Sequence, residues 1–287
     1  MNTWIIGARP RTLPAAVVPV ALGAAAAVGI GTMTWWRVGA CLIVSVALQV
    51  GVNYANDYSD GVRGTDDVRV GPTRLVASGL ASPAAVKRAA FVSFGVAAVA
   101  GLAIALDTSL VLLVIGAAAI AAGWFYTGGA KPYGYRGLGE VFVFVFFGLV
   151  ATVGSTYAAV GKITVLSVVV GCVAGSLACA LLVINNLRDI PTDRDVGKRT
   201  LAVRLGDSRT RSFFVLLIVA AFVLIGASSA WRPPTLLGLL AAPLALPPIR
   251  TVLGGASGGA LIPVLGGTGK LQLAVGLATT IGLALGG

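Results

Sequence analysis

The chain has 287 residues, of which 57% are hydrophobic and only 11% charged, and its mean hydropathy is +0.95. Soluble domains carry about 25% charged residues, so the composition excludes an ordinary water-soluble fold. The complete lack of histidine excludes imidazole acid–base catalysis, imidazole metal sites and His-ligated haem.

Backbone groups in lipid must be hydrogen-bonded internally, which leaves helices or a closed barrel. The apolar runs are long and do not alternate, so the expected class is all-α. It is a polytopic membrane protein of about nine transmembrane helices around a central cavity, with residues 1–287 forming one membrane-embedded domain. The runs lie near 13–31, 37–56, 89–106, 109–126, 139–159, 164–187, 213–230, 235–252 and 269–286. The eighth is the least regular, because Pro243, Pro247 and Pro248 interrupt it. The first exceeds the h-region of a cleavable signal and reads as a retained span. With a cytoplasmic N-terminus, all but Arg37, Lys162 and Arg232 of the 21 Lys and Arg fall on inner segments, as the positive-inside rule requires. The net charge of +11 is thus a topology signal, and its scatter over short loops argues against nucleic acid as a partner. Cys41, Cys172 and Cys179 lie in apolar runs and read as small packing residues.

In chain order, the first candidate is Arg9-Pro10-Arg11, ahead of span one. Either arginine can snorkel to headgroups or hold a substrate carboxylate in its fork. Span two ends in Asn53-Tyr54-Ala55-Asn56-Asp57-Tyr58-Ser59-Asp60, with Asp66, Asp67, Arg69 and Arg74 behind it. At about 100° per helical residue, Asn53, Asp57 and Asp60 share a face about 60° wide. The loop from Tyr126 to Glu140 is rich in Gly and Tyr. It reads either as a turn with interfacial aromatics or as a lid. As a lid, it brings Lys131 to phosphate and sets a tyrosine such as Tyr126 or Tyr133 against an aromatic or cationic species. Its Gly128-Gly129 pair is no P-loop, since no Gly-Lys-Ser/Thr follows. Span six ends in Asn185-Asn186-Leu187-Arg188-Asp189, where Asn185 and Asp189 share a face. Pro191 disfavours a regular helix through Asp193, which then arrives from a kink or a new turn.

All but Asp107 and Glu140 of the ten acidic residues lie in or beside these two clusters. Solvation or pairing with nearby arginines is the bland account. Against it, Asn-x-x-x-Asp occurs twice, at helix ends four spans apart that point the same way. That is a hint of a parallel repeat in which span two matches span six. Acids at a membrane boundary are also costly unless used. Divalent cations, above all Mg²⁺, take oxygen ligands and bridge carboxylates to substrate phosphates. Lys131, Arg69 and Arg74 would hold the remaining phosphate oxygens.

Together these motifs resemble the UbiA-type intramembrane aromatic prenyltransferases over most of the chain. Members carry two Asp-rich motifs on the second and sixth of nine helices. The first is usually Asn-x-x-x-Asp-x-x-x-Asp; here Asn53 and Asp57 match, and Gly61 stands at the last place with Asp60 one position early. The second, Asp-x-x-x-Asp, matches at Asp189 and Asp193. The stretches Ala8–Pro14, Asn53–Gly61, Tyr126–Tyr135, Asn185–Asp189 and Thr200–Gly206 are similar to the MenA branch, the 1,4-dihydroxy-2-naphthoate polyprenyltransferases.

The resemblance implies a multi-pass plasma-membrane enzyme of menaquinone biosynthesis with its active site on the cytoplasmic side. Mg²⁺ would be held by Asp57, Asp60, Asp189 and Asp193, with Asn53 and Asn185 assisting. Lys131, with Arg69, Arg74 or Arg188, would bind the polyprenyl pyrophosphate. Arg9 or Arg11 would orient the carboxylate of 1,4-dihydroxy-2-naphthoate, which leaves as CO₂ to give demethylmenaquinol, the reduced form of demethylmenaquinone. A carboxylate such as Asp60 or Asp67 is a candidate base. The readings left open are another aromatic acceptor such as 4-hydroxybenzoate, farnesyl transfer to haem, a cation-coupled transporter, and a non-catalytic quinone- or lipid-binding scaffold.

Overall fold

Each predicted apolar run contains helix in the computed structural model of the protein, which describes residues 2–65 and 73–287. The helices are α1 (Thr3–Ala8), α2 (Pro14–Ala27), α3 (Trp35–Arg63), α4 (Pro83–Asp107), α5 (Val111–Phe125), α6 (Gly139–Val143), α7 (Ala151–Val160), α8 (Val165–Arg188), α9 (Ile190–Asp195), α10 (Leu201–Leu205), α11 (Asp207–Ser228), α12 (Leu246–Leu253) and α13 (Ile262–Leu285). No strand occurs among the described residues. Seven helical stretches there are long and apolar enough to cross a membrane, or eight if the N-terminal pair bent by 50° at Leu13 counts as one span. Helix α5 is apolar but has only 15 residues. At 1.5 Å per residue it is about 22 Å long, short of the roughly 30 Å hydrocarbon core.

Three elements differ from the sequence pattern for local reasons. The rod from Gly139 to Val160 contains a π-helical stretch, Phe144–Val150, between α6 and α7. The eighth run begins as a 3₁₀ helix over Pro233–Ala245 before α12. Pro243, inside the 3₁₀ stretch, lacks the donor that an α-helix would use there, while Pro247 and Pro248 fall in the first turn of α12, where it is not needed. Helix α13 begins at Ile262, with Pro263 in its first turn, rather than near 269; Gly266, Gly267 and Gly269 dilute the hydropathy of its first turns and hide that start from an apolar-run reading.

Helix α8 is the hub. In its most apolar window 78% of residues are buried, against 44% for the stretch that contains α13. Its Val173, Leu177, Val183 and Ile184 pack with Phe214 and Ile218 of α11 and with Val264 and Leu271 of α13. Lipid tails are as apolar as leucine, so close backbone approach, not hydrophobic transfer, holds such helices together. Gly148 shows this. A Cβ there would lie 2.6 Å from Gly175 Cα and 2.8 Å from the Gly171 carbonyl. Outward-facing Trp35, Val99, Leu106, Val114 and Leu240 are exposed and form a surface suited to lipid.

The helix ends sort to two poles. At one, Arg37 donates to Asp107 (2.7 Å) and to the Ala158 carbonyl (3.3 Å). Lys162 meets the Ile30 carbonyl there, and buried Arg232 donates to the carbonyls of Ala25 and Leu283 at the ends of α2 and α13. The three cations assigned to outer loops therefore share the pole opposite the Asp-rich motifs. At the other pole Gly64, with φ 70°, ends α3 one turn past Asp60. Pro191 falls in the first turn of α9, where a missing N–H costs nothing, so Asp193 arrives from a new turn.

Gly148→Val would wedge the α6–α7 rod away from α8. Overpacking of this kind costs about 1–3 kcal/mol. The thermal midpoint in detergent should fall by several degrees, and an unchanged midpoint contradicts the packing described.

Candidate active site

A cavity of about 530 Å³ opens between α2, α3, α4, α5, the α6–α7 rod and α8. Its wall on α3 runs from Cys41 to Asp60, about 28 Å of helix at 1.5 Å per residue. The end near Cys41 is mostly apolar, with Val44, Leu48, Leu102, Leu113 and Ala151. The other end carries Arg9, Asn53, Asp60, Arg74, Tyr126, Tyr133, Tyr135, Asn185, Asp189, Asp193 and Lys198. Both Asp-rich motifs thus reach one chamber, polar at one end and hydrocarbon-like along its length.

On α3 the cavity face is Gln49, Asn53, Asn56 and Asp60. Asn53 donates its amide to the Ala8 carbonyl (2.9 Å) and to Thr12 Oγ1 (3.0 Å), and Gln49 donates to the same Thr12 hydroxyl (2.9 Å). These bonds fasten the Arg9–Thr12 turn to α3. Arg9 has φ 51° and ψ 71°, and is the single non-glycine residue with positive φ among the described residues. Such a conformation costs about 1–3 kcal/mol and persists where the surroundings impose it. It sends the guanidinium to the cavity wall, 3.9 Å from Asp57.

Asp57 itself is turned away from the cavity. It is fully buried, and its two oxygens accept from the backbone N–H groups of Leu75 (2.8 Å) and Val76 (3.0 Å). It sits about 100° around the helix from Asn56, at the edge of the face that the sequence pattern joins to Asn53 and Asp60. Its carboxylate thereby pins the chain directly after Arg74, whose buried side chain reaches the wall.

Asp60 accepts from the Tyr135 hydroxyl at 2.6 Å and lies 3.4 Å from Lys198 Nζ. Lys198 is also 4.0 Å from Asp193 and 4.7 Å from the centre of the Tyr135 ring. Burial, and then the charge of Asp60, push the Tyr135 phenol above its ordinary pKa, so it stays a donor through neutral pH. Asp189 is held by Arg188 in a bidentate pair of 2.6 and 2.7 Å. Asn185 and Tyr133 lie on the wall, and the Tyr133 hydroxyl donates to the Ala122 carbonyl (2.8 Å).

Not every predicted residue is brought here. Lys131 and Arg11 are exposed and off the cavity wall. The 127–129 backbone before Lys131 is tied instead to Arg63, which donates to the Thr127 and Gly129 carbonyls. Arg188 is buried behind Asp189 rather than on the wall. Asp66, Asp67 and Arg69 lie outside the described residues. Sequence reasoning missed Lys198, Tyr135, Thr12 and Gln49. Lys198 follows Asp193 by five residues, just past Gly197, a local pattern that does not set it apart from Lys131 behind Gly128 and Gly129.

The UbiA prenyltransferase family matches residues 16–255. The 1,4-dihydroxy-2-naphthoate octaprenyltransferase of Mycobacterium tuberculosis is 50% identical over 283 residues, which is 99% of this chain and 97% of that protein. The chain belongs to the UbiA prenyltransferase family. The fold agrees with that of a UbiA homologue from Aeropyrum pernix K1, at TM-score 0.73 and 17% identity, over 96% of this chain and 97% of that one. It also agrees with a UbiA homologue from Archaeoglobus fulgidus bound to GPP and Mg²⁺, at TM-score 0.61 and 16% identity, over 98% of this chain and 100% of that one.

The donor chemistry of this UbiA cavity fits a divalent cation. Asp60, Asp189, Asp193, Asn53 and Asn185 offer oxygen ligands and no sulfur or imidazole, the set that suits Mg²⁺. Among the described residues no three acidic or thiol side chains converge on one point. Cationic side chains stand there instead, Lys198 at Asp60 and Asp193 and Arg188 at Asp189. Positive charge already occupies the place where the motifs meet.

Asp57→Ala strips the acceptor from two backbone donors, each costing about 1–3 kcal/mol if left buried and unpaired. The thermal midpoint should drop clearly, whereas Asp60→Asn, which keeps an acceptor for Tyr135 and leaves Lys198 beside Asp193, should lower it less. Equal effects of the two substitutions would contradict the separate roles assigned to these carboxylates.

Proposed function

We propose that the chain transfers a polyprenyl group from polyprenyl diphosphate to 1,4-dihydroxy-2-naphthoate with loss of CO₂ and diphosphate, forming the quinol demethylmenaquinol. The single observation that carries this reading is the chamber itself. Its carboxylates and cations gather at one end, and an apolar channel follows α3 away from them. The naphthoate prenyltransferase relative, half identical over nearly its whole length, supports the choice of acceptor.

Asp60, Asp189 and Asp193, with Asn53 and Asn185 assisting, would hold Mg²⁺, which when bound would neutralise charge on the departing diphosphate. Lys198 and Arg74 bind diphosphate oxygens from the wall. Arg9, held in its constrained turn, offers a fork to the carboxylate of the acceptor. Asp57 contributes by fixing the backbone behind Arg74. The apolar channel takes the isoprenoid tail and keeps water from the allylic cation. The naphthoate ring attacks that cation at its carboxylate-bearing carbon, and CO₂ leaves. The basic bias of the loops at this pole supports a cytoplasmic position for it and for the N-terminus. Acids gathered at helix ends of one pole, away from the midplane, disfavour a transporter.

Membranes containing the chain should prenylate 1,4-dihydroxy-2-naphthoate in the presence of Mg²⁺ and a labelled polyprenyl diphosphate. Asp189→Ala and Asp193→Asn should lower that rate by orders of magnitude, and Lys131→Ala should leave most of it. Prenylation of 4-hydroxybenzoate or haem alone would refute the assigned acceptor.

A further inference from the structure

Lys198 does something that binding a phosphate does not require: it joins the two motifs. Its Nζ lies within 4.0 Å of carboxylates from both, and its side chain is only 10% exposed. The Asp60 and Asp193 side chains are 5% and 12% exposed, so these pairs are not surface contacts weakened by solvent. The Tyr135 ring covers the ammonium at 4.7 Å, and the Tyr135 hydroxyl takes Asp60 Oδ1, the oxygen nearest Lys198. An ammonium here satisfies carboxylates that would otherwise repel one another. A divalent cation using the same oxygens needs the same gap.

We infer that Lys198 is the internal counter-ion of the metal-free site, and that a divalent cation and the diphosphate bind cooperatively because the diphosphate takes over the displaced ammonium. This rests on the diphosphate reading given above. Metal binding alone must break the contacts of Lys198 with Asp60 and Asp193 and leave a buried ammonium without anions. Metal binding with a diphosphate gives that ammonium a new partner, within reach of its flexible four-carbon stem. Lys198 therefore penalises the metal alone more than the metal with diphosphate, and by linkage the diphosphate must bind better once metal is present. Two other charged side chains on the wall are differently placed. Asp189 is matched by Arg188, while Arg9 lies against Asp57.

The test is Mn²⁺ affinity of the purified chain, read from the free-ion paramagnetic resonance signal, with and without a prenyl thiodiphosphate that does not ionise. In the wild type the analogue should tighten Mn²⁺ by about tenfold or more, within the 5–150-fold span of coupled sites. In Lys198→Gln, Mn²⁺ alone should bind several-fold more tightly than in the wild type, and the gain from the analogue should shrink by a similar factor. Lys198→Arg keeps the charge and should keep the wild-type affinity and coupling. Mn²⁺ binding no tighter in Lys198→Gln, or equally tightened in Lys198→Arg, overturns the counter-ion role alone. A wild type that binds neither Mn²⁺ nor the analogue overturns the diphosphate reading with it.

Discussion

Two stretches far apart in the chain meet across one ammonium. Lys198 spans Asp60 at the end of α3 and Asp193 in the turn after α8. That meeting requires α3 and α8 to end at the same depth and on the same pole. The glycine stop at Gly64 and the proline-started α9 set those ends. The Tyr135 loop is tied to both sides as well, donating to Asp60 and accepting at its backbone carbonyl from the N–H of Arg199 (2.9 Å).

The same constraint orders the energetics. Uncompensated carboxylates near a bilayer are costly, and here each on the cavity wall has a cation beside it or a neighbour donating to it. Asp57 shows the alternative use of an acid, as a clamp on backbone N–H groups. The constrained turn at Arg9 and the buried Arg74 then deliver positive charge to the same chamber. Acids and bases stand together at its polar end, an arrangement suited to a substrate that is strongly anionic at one end and oily along the rest.

Much of this was legible in the sequence. Apolar runs located the helices, and the bias of Lys and Arg sorted their ends, with Arg37, Lys162 and Arg232 together at the far pole. The Asp-rich motifs named the chamber, and Pro191 announced the new turn that carries Asp193. Other features lay beyond pattern reading. Helical spacing places Asp57 near Asn53, but only the tertiary position of Leu75 and Val76 decides that it faces them. Lys131 and Lys198 both sit in glycine-containing loops, and nothing local distinguishes the exposed one from the buried one. The early start of α13 was hidden because glycines that permit close helix contact look, in one dimension, like a loop.

The central claim is that both motifs grip one diphosphate. It is tested most directly by a structure of the chain with Mg²⁺ and a non-ionising prenyl thiodiphosphate. The account requires the diphosphate to lie between the C-terminal end of α3 and the α8–α9 turn, touched from both, with the prenyl chain running along α3 toward Cys41. A diphosphate held by one motif alone, or bound outside this chamber, contradicts it.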